Sequence, residues 1–182
     1  MEVDKKVVFI KDWILNYVNS MPIKAQSLVI GISGGIDSSV TSTLCAMTGL
    51  KTIVLTMPIK QNKEQNDLSI LHKNWLNNKF NNVETHSLEL DNVFKNFENT
   101  LSNFKSEHGM ANSRARLRMT TLYQVAAANN GIVVGTGNKV EDFGVGFYTK
   151  YGDGGVDISP IADCTKTDVW ELGKELKIAE EI

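Results

Sequence analysis

The stretch of this sequence best suited to chemistry is residues 33–39, Ser-Gly-Gly-Ile-Asp-Ser-Ser. Its two glycines let the backbone turn sharply and approach a ligand closely, because glycine lacks the side chain that restricts other residues. Its serine hydroxyls, together with the amides at the start of a following helix, offer hydrogen bonds to an anion. The stretch therefore predicts a phosphate-binding loop between a strand and a helix.

This loop carries no cation of its own. A Walker A loop has the pattern GxxxxGK followed by Ser or Thr, and a dinucleotide-binding loop has the pattern GxGxxG. Residues 33–39 fit neither pattern and contain no lysine. Positive charge for a bound phosphate must therefore come either from a magnesium ion held by carboxylates or from a lysine on another segment.

The loop follows the first strand of a predicted parallel sheet. Residues 27–32 are short and continuously apolar, which is typical of a strand buried on both faces. Further strands are predicted at residues 52–57, 83–88, 132–134 and 158–161. In a doubly wound sheet, ligands bind where the strand order switches, so we expect the loops after the first and fourth strands to flank the site.

Helical segments alternate with these strands. Apolar residues recur at Val7, Ile10 and Ile14, which predicts an amphipathic first helix that ends before Pro22. Crossover helices are predicted at residues 38–47, at 66–75 and beyond, at 111–128 and at 167–176. The alternation indicates a Rossmann-like α/β fold, with a doubly wound, mostly parallel five-stranded sheet and helices on both faces.

Four motifs together carry a family resemblance. The SGGIDSS loop resembles the pyrophosphate-binding loop of the ATP pyrophosphatases, which cleave ATP between the α and β phosphates. Several enzyme families share this loop, and three further motifs single out one of them. These motifs are residues 115–119 (ARLRM), 135–141 (GTGNKVE) and 147–155 (FYTKYGDGG). Together the motifs resemble the ammonia-dependent NAD synthetase family, and the resemblance runs from the first helix to about Glu175.

The resemblance implies a carbon–nitrogen ligase with ATP, deamido-NAD and ammonia as substrates. The nicotinate carboxylate would attack the α-phosphorus of ATP, and ammonia would then displace AMP from the resulting adenylate. The products would be NAD, AMP and pyrophosphate, and no protein nucleophile would be required. The resemblance also implies a magnesium cofactor and a homodimer.

The resemblance further implies roles for individual residues around ATP and the metal. Asp37 and Lys166 would be catalytic, with Lys166 supplying the cation that the loop lacks. Asp37 and Glu141 would hold magnesium, although an extra residue between Glu141 and Lys150 leaves Asp142 as an alternative ligand. The residues implied to bind ATP are Gly31, Ile32, Ser33, Gly34, Gly35, Ile36, Asp37, Ser38, Thr136 and Lys166.

A second implied set holds deamido-NAD, namely Arg116, Lys150 and Asp157. Two cations and a carboxylate suit a ligand that carries a pyrophosphate, sugar hydroxyls and a free carboxylate. Arg116 and Arg118 share a motif, but a two-residue spacing turns them to different faces of a helix, so we expect one of them to meet the ligand. For Asp157, the capping of a turn remains an alternative role.

Composition limits the function classes. The chain has 182 residues, of which 42% are hydrophobic and 22% charged, with a formal net charge of -2. These values predict one globular domain, residues 1–182, and disfavour nucleic acid as the main partner. Two distant cysteines predict neither a disulfide framework nor a zinc site, and Cys45 is expected in the core.

The two ends of the chain carry expectations of their own. Lys11 and Asp12 interrupt the first apolar run, so we predict no signal peptide, no membrane anchor and a cytoplasmic location. Residues 178–182 resemble the start of another helix, and family members usually continue past this point. We therefore expect the chain to be truncated after Ile182.

Two other function classes remain open at this level. The first is another amidotransferase that uses the same loop, such as a GMP or asparagine synthetase. The chain offers no spare length for the glutaminase that usually accompanies them. The second is a non-catalytic ATP-binding module, which would keep the loop but could dispense with Arg116, Lys150 and Lys166.

Overall fold

A computed structural model of the chain describes residues 2–60 and 62–182. Its centre is a parallel four-stranded sheet in the order β3-β2-β1-β4. The strands are β1 (Ser27–Gly31), β2 (Lys51–Thr56), β3 (Val83–Ser87) and β4 (Gly131–Val134). The order switches between β1 and β4, so the loops that follow these two strands lie side by side, as expected.

Six α-helices occur in the described residues. They are α1 (Val3–Ser20), α2 (Ile36–Met47), α3 (Lys63–Lys79), α4 (Asp91–Thr100), α5 (Glu107–Ala128) and α6 (Lys166–Glu175). A short 3-10 helix (Ser102–Phe104) precedes α5, and a π-helical turn (Lys139–Val145) follows the loop after β4.

The helices cover both faces of the sheet and form two hydrophobic cores. Leu28 and Ile30 of β1 point into the first core, on the face covered by α1, α2, α3 and α6. Val29 points into the second core, on the face covered by α4 and α5. All three side chains are fully buried. This pattern explains why β1 is apolar at every position rather than at every second one.

The prediction of a fifth strand at residues 158–161 is wrong. Ile158 forms one parallel bridge with Val134 beside β4, and the chain then leaves the sheet. Pro160 has no amide hydrogen with which to continue the ladder. The chain instead turns, with the amide of Ala162 donating to the carbonyl of Ser159 at 3.2 Å.

Three further segments differ from the sequence-based expectations. Helix α4 (Asp91–Thr100) was not predicted, although its most buried residue, Phe94, anchors it in the second core. Helix α2 begins two residues earlier than predicted, at Ile36. Residues 178–182 form a turn rather than a helix, with the amide of Ile182 donating to the carbonyl of Ala179 at 3.1 Å.

The prediction that Cys45 lies in the core is confirmed. Cys45 is fully buried, and both Cys45 and Cys164 are free thiols. Among the helices of residues 2–60 and 62–182, none combines the length and the apolar character needed to cross a bilayer.

Candidate active site

The phosphate loop is held in shape by its contact with α3. Gly34 has a φ of 92°, a conformation that glycine adopts readily and other residues rarely do. A Cβ at this position would lie 2.3 Å from the carbonyl oxygen of Gln65. The position therefore requires glycine on two independent grounds, backbone conformation and the close approach of α3.

The start of α2 faces the loop with its amides available. Gly35 is the N-cap residue, and no side chain in the described part of the chain caps this helix start. An uncapped N-terminus offers its first amides and the positive end of the helix dipole to an anion. The local geometry is therefore that of a phosphate cradle.

Hydrogen bonds between the two serines brace the loop internally. Ser38 Oγ donates to the carbonyl of Gly35 at 2.9 Å, and the amide of Ser33 donates to Ser38 Oγ at 3.2 Å. The two serine hydroxyl oxygens lie 3.3 Å apart. Ser38 thus fixes the curvature of the loop.

Three charged side chains from three elements meet beside this loop. Lys166, the first residue of α6, donates to Asp37 Oδ2 and, at 3.2 Å, to Glu141 Oε1. Burial by itself lowers the pKa of Lys166, but the hydrogen bonds and charges of Asp37 and Glu141 outweigh it and leave this pKa raised. Lys166 is therefore a charged ammonium group at the loop.

The position of Lys166 depends on how α6 begins. Thr165 and Asp168 form a capping box at this helix start, and Lys6 of α1 donates to Asp168. These hydrogen bonds lower the pKa of Asp168 to about 2, with the bond from Lys6 as the largest cause. The capping box and the ion pair together fix the first turn of α6, and with it Lys166.

Two adjacent carboxylates in the π-helical turn have different surroundings. Glu141 contacts Lys166, whereas Asp142 packs against Gly137, where a Cβ would lie 1.7 Å from Asp142 Oδ2. Burial, and then the charges of Asp153, Glu141 and Asp37, raise the pKa of Asp142. Glu141 is thus the member of the pair that shares a cation with Asp37.

The donors at this point suit a magnesium ion. In residues 2–60 and 62–182, no three His, Cys, Asp or Glu side chains form a ligand cage. Magnesium is usually bound by one or two carboxylates together with the phosphates of a substrate. Asp37 and Glu141 converge on one cation beside a phosphate loop, so these two residues fit that requirement.

A cavity of about 690 Å³ opens beside the loop, at the carboxyl ends of β1 and β4. Four residues predicted to bind ATP line it, namely Gly31, Ile32, Ser33 and Thr136. Its apolar walls come mainly from the second core, with Met57 and Leu122 among them. A polar rim with an apolar interior suits a nucleotide, whose base is flat and whose phosphates are charged.

The two arginines of the 115–119 motif point to different places, as their spacing predicts. Arg118 lines the cavity and donates through Nε to the carbonyl of Met57 at 2.9 Å. Arg116 is exposed and donates through Nε to the carbonyl of Lys150 at 3.1 Å. Arg118 was not predicted as a binding residue, although its place in the motif next to Arg116 was the available signal.

The residues predicted to hold deamido-NAD lie outside the cavity lining. Asp157 accepts hydrogen bonds from the hydroxyl of Tyr123 at 3.0 Å and from the amide of Val133 at 2.7 Å. Burial, followed by the contact with Asp157, raises the pKa of Tyr123 to about 12. The Lys150 ammonium lies 5.3 Å from the ring centroid of Tyr151.

A second depression is lined by two of their neighbours, although Arg116, Lys150 and Asp157 themselves do not line it. It has a volume of about 450 Å³, and Tyr123 and Tyr151 both line it. The structure therefore divides the predicted site residues between two neighbouring regions, one at the phosphate loop and one along the outer side of α5.

Asn138 is a site residue that the sequence analysis missed. It is fully buried and donates to Asp37 Oδ1 at 2.9 Å. Its own oxygen accepts the amides of Val140 and Glu141. An asparagine just before a turn is a common N-cap, and this was the signal in the GTGNKVE motif.

Comparison with known proteins identifies the family. The sequence model described as NAD synthase matches residues 6–182. The chain belongs to the NAD synthase family. The resemblance drawn from the four motifs is thereby confirmed.

Curated relatives from this family are similar over most of the chain. An NH(3)-dependent NAD(+) synthetase of Carboxydothermus hydrogenoformans is 39% identical over 87% of this chain and 65% of the relative. One of Alkaliphilus oremlandii is 36% identical over 99% of this chain and 73% of the relative. The chain spans about two thirds of the length of the first curated relatives it matches.

Solved structures of NAD synthase relatives share the fold. The NMN synthetase of Francisella tularensis has a TM-score of 0.91 and 33% identity, covering 100% of this chain and 74% of its own. The NH3-dependent NAD synthetase of Campylobacter jejuni has a TM-score of 0.88 and 31% identity, covering 99% and 76%. The parallel sheet with flanking helices is therefore that of the family.

Proposed function

We propose that this chain catalyses the ATP-dependent amidation of deamido-NAD by ammonia, releasing NAD, AMP and pyrophosphate. The observation that carries the proposal is the position of Lys166. The phosphate loop has no lysine of its own, and Lys166 lies beside it in contact with Asp37. A cation at this place serves a reaction in which negative charge develops between the α and β phosphates.

The chain's own groups have separate tasks in this proposal. The first amides of α2, at residues 36–38, hold the β and γ phosphates, and Lys166 stabilises the charge of the departing pyrophosphate. A magnesium ion held by Asp37 and Glu141 would neutralise further phosphate charge. The apolar cavity walls around Met57 and Leu122 hold the base and exclude water from the adenylate.

The nicotinate carboxylate of the dinucleotide is the nucleophile, so the enzyme acts mainly by positioning its two substrates. We propose that Arg116, Lys150 and Asp157 hold deamido-NAD along the outer side of α5. An ionised carboxylate offers about four lone-pair sites. Asp157 can therefore accept a sugar hydroxyl while it keeps its bonds to Tyr123 and Val133.

A second candidate is the same amidation carried out on nicotinate mononucleotide. The observation in its favour is the likeness to the Francisella tularensis NMN synthetase, at a TM-score of 0.91. The two candidates share the ATP chemistry at Lys166 and differ in the length of the acceptor. A mononucleotide lacks the adenosine half that would extend along α5.

The test is to incubate the chain with ATP, magnesium, ammonium and either acceptor, and to identify the products by mass spectrometry. Omitting each substrate in turn shows which ones the reaction needs. NAD, AMP and pyrophosphate together would support the first candidate, and NMN from the mononucleotide arm would support the second. ADP as the nucleotide product would overturn both, because it reports cleavage at the wrong phosphate.

We also propose a homodimer in the cytoplasm. Exposed apolar side chains on the outer face of α1 support the first part, namely Val8, Phe9, Trp13 and Tyr17. The two free cysteines support the second, because cytosolic proteins rarely form disulfides. Sedimentation equilibrium should give twice the chain mass, and Phe9→Asp should shift the equilibrium to monomer if α1 forms the interface.

A further inference from the structure

Asn138 connects two parts of the candidate site that are far apart in sequence. Its amide nitrogen donates to Asp37 Oδ1 at 2.9 Å, across 101 residues of chain. Its amide oxygen accepts the amides of Val140 at 3.0 Å and Glu141 at 3.1 Å. One fully buried side chain thus contacts the start of α2 and the start of the π-helical turn.

The orientation of this amide is determined by its partners. Two backbone N–H groups can be accepted only by the oxygen end, so the NH2 end must face Asp37. That bond occupies Asp37 Oδ1, and Asp37 Oδ2 is the oxygen that contacts Lys166. On the other side, the cap at Glu141 N–H fixes the turn from which the Glu141 carboxylate reaches Lys166.

We propose that Asn138 is a positioning residue that holds the carboxylates of Asp37 and Glu141 in register for one cation. The inference rests on the proposed function, because it takes magnesium with ATP as the ligand of this pair. Asn138 does not touch that cation. It acts through Asp37, by the donor bond, and through Glu141, by the cap.

Serine at position 138 separates the donor bond to Asp37 from the capping of the π-helical turn. Serine and asparagine are both good N-caps, so Asn138→Ser keeps an acceptor for the amides of the π-helical turn. Its shorter side chain cannot reach Asp37. Asn138→Thr makes the same separation while filling more of the buried volume.

The chain offers a matched control in Asn82. Its amide nitrogen also donates across the chain, to the carbonyls of Ala46 at 2.9 Å and Leu50 at 2.7 Å. It lies just before β3, at the amino-terminal edge of the sheet and away from the phosphate loop. Asn82→Ser therefore removes two long-range donor bonds, where Asn138→Ser removes one, and it leaves the site unchanged.

The experiment titrates Mg²⁺ into the chain by calorimetry in the presence of α,β-methylene-ATP, which cannot be cleaved at the α–β position. We expect Asn138→Ser and Asn138→Thr to weaken Mg²⁺ binding about 10-fold, which is typical for the loss of a residue that orients a metal ligand. Binding of the analogue in EDTA should stay within about 2-fold of the native value, as should Mg²⁺ binding by Asn82→Ser.

Three results would overturn the proposal. The first is a native affinity for Mg²⁺ in both Asn138 variants. The second is an equal loss of Mg²⁺ affinity in Asn82→Ser. The third is unfolding of both Asn138 variants, because the role of Asn138 would then be structural. The proposed reaction is judged separately. A native chain that binds Mg²⁺ but makes no NAD would contradict the proposed reaction. It would not contradict the role proposed for Asn138.

Discussion

At the scale of single residues, the net charge of the candidate site limits which ligands it can bind. Asp37, Glu141 and Lys166 form a small cluster with one excess negative charge, and Asp142 and Asp153 lie close enough to raise that excess. Such a cluster attracts a divalent cation and opposes a bare triphosphate. This charge balance supports the proposal that ATP binds together with magnesium.

Replacing Asp37 tests this balance. We expect Asp37→Asn to lower the rate of NAD formation at least about 100-fold at low magnesium, because it removes a carboxylate without changing its size. The matched control is Asp4→Asn, in the first turn of α1, which loses a similar contact with a helix dipole away from the site.

The measurement for Asp37 is the initial rate as a function of magnesium concentration, alongside thermal unfolding of both variants. If Asp37→Asn and Asp4→Asn changed the rate equally, the effect of Asp37 would be explained by its interaction with the helix dipole alone. A native magnesium profile in Asp37→Asn would show that the metal assignment is wrong.

Lys150 tests the placement of the acceptor. We expect Lys150→Met to raise the KM for deamido-NAD about 10-fold and to leave the KM for ATP within 2-fold, because Lys150 lies outside the cavity beside the loop. Lys174→Met, at the exposed end of α6, is the control. Equal rises for both substrates would contradict the placement along α5.

At the scale of elements, the phosphate loop is shaped by the helices around it as much as by its own sequence. Helix α3 approaches the loop at Gly34, and α6 brings Lys166 to it. The capping box at Thr165 and the ion pair between Lys6 and Asp168 anchor α6 against α1. The loop is therefore sensitive to packing at points that do not touch a ligand.

Gly34 isolates the contact with α3. We expect Gly34→Ala to destabilise the fold and to abolish ATP binding, because the new Cβ collides with the carbonyl of Gln65 at 2.3 Å. Gly49 also has a positive φ but open space around its Cβ, so Gly49→Ala should cost about 1 kcal/mol from backbone conformation alone. Urea unfolding and ATP calorimetry on both variants separate strain from collision. If Gly34→Ala and Gly49→Ala lost equal amounts of stability and of ATP affinity, the close approach of α3 would not matter for the loop.

At the scale of the whole molecule, two cores on either side of the sheet hold the site together. A buried polar contact crosses the first core, where His72 of α3 lies 3.0 Å from the hydroxyl of Ser42 on α2. His72 is 1% exposed and stacks on Trp75. Burial lowers the pKa of His72 from 6.5 to about 4, so its neutral form is favoured in the folded state.

This histidine predicts how stability depends on pH. Between pH 6.5 and about 4 the unfolded chain binds a proton that the folded chain does not, so stability falls as pH falls through this window. The full loss is about 3 kcal/mol at 1.36 kcal/mol per pKa unit. Urea unfolding from pH 7 to pH 4 should show this slope, and His72→Gln should remove most of it. The exposed His86 is the control, since His86→Gln should keep the slope, and a persistent slope in His72→Gln would contradict the assignment.

Much of the fold was predictable from local pattern. The apolar run of β1 and the Ser-Gly-Gly turn that follows it specify a buried strand and a tight loop, because both depend on neighbouring residues. Helix α4 was missed although its sequence contains the helical pattern. Leu90, Phe94, Phe97 and Leu101 recur at helical spacing, and they give a short, otherwise polar segment one apolar side. The fifth strand failed because Pro160 ends pairing after a single bridge at Ile158.

The sequence by itself determined the phosphate loop, the alternation of strands and helices, and the residue types needed for the chemistry. It also determined that the loop needs a cation from elsewhere. The family resemblance implied Lys166 as this cation, and the tertiary structure places it in contact with Asp37, 129 residues away. Only the tertiary structure decided that Arg118 rather than Arg116 lines the cavity, and that Asn138 connects the two carboxylates. The physical reason is that these contacts depend on how helices pack on the sheet, and that packing sums many small contacts between residues distant in the chain.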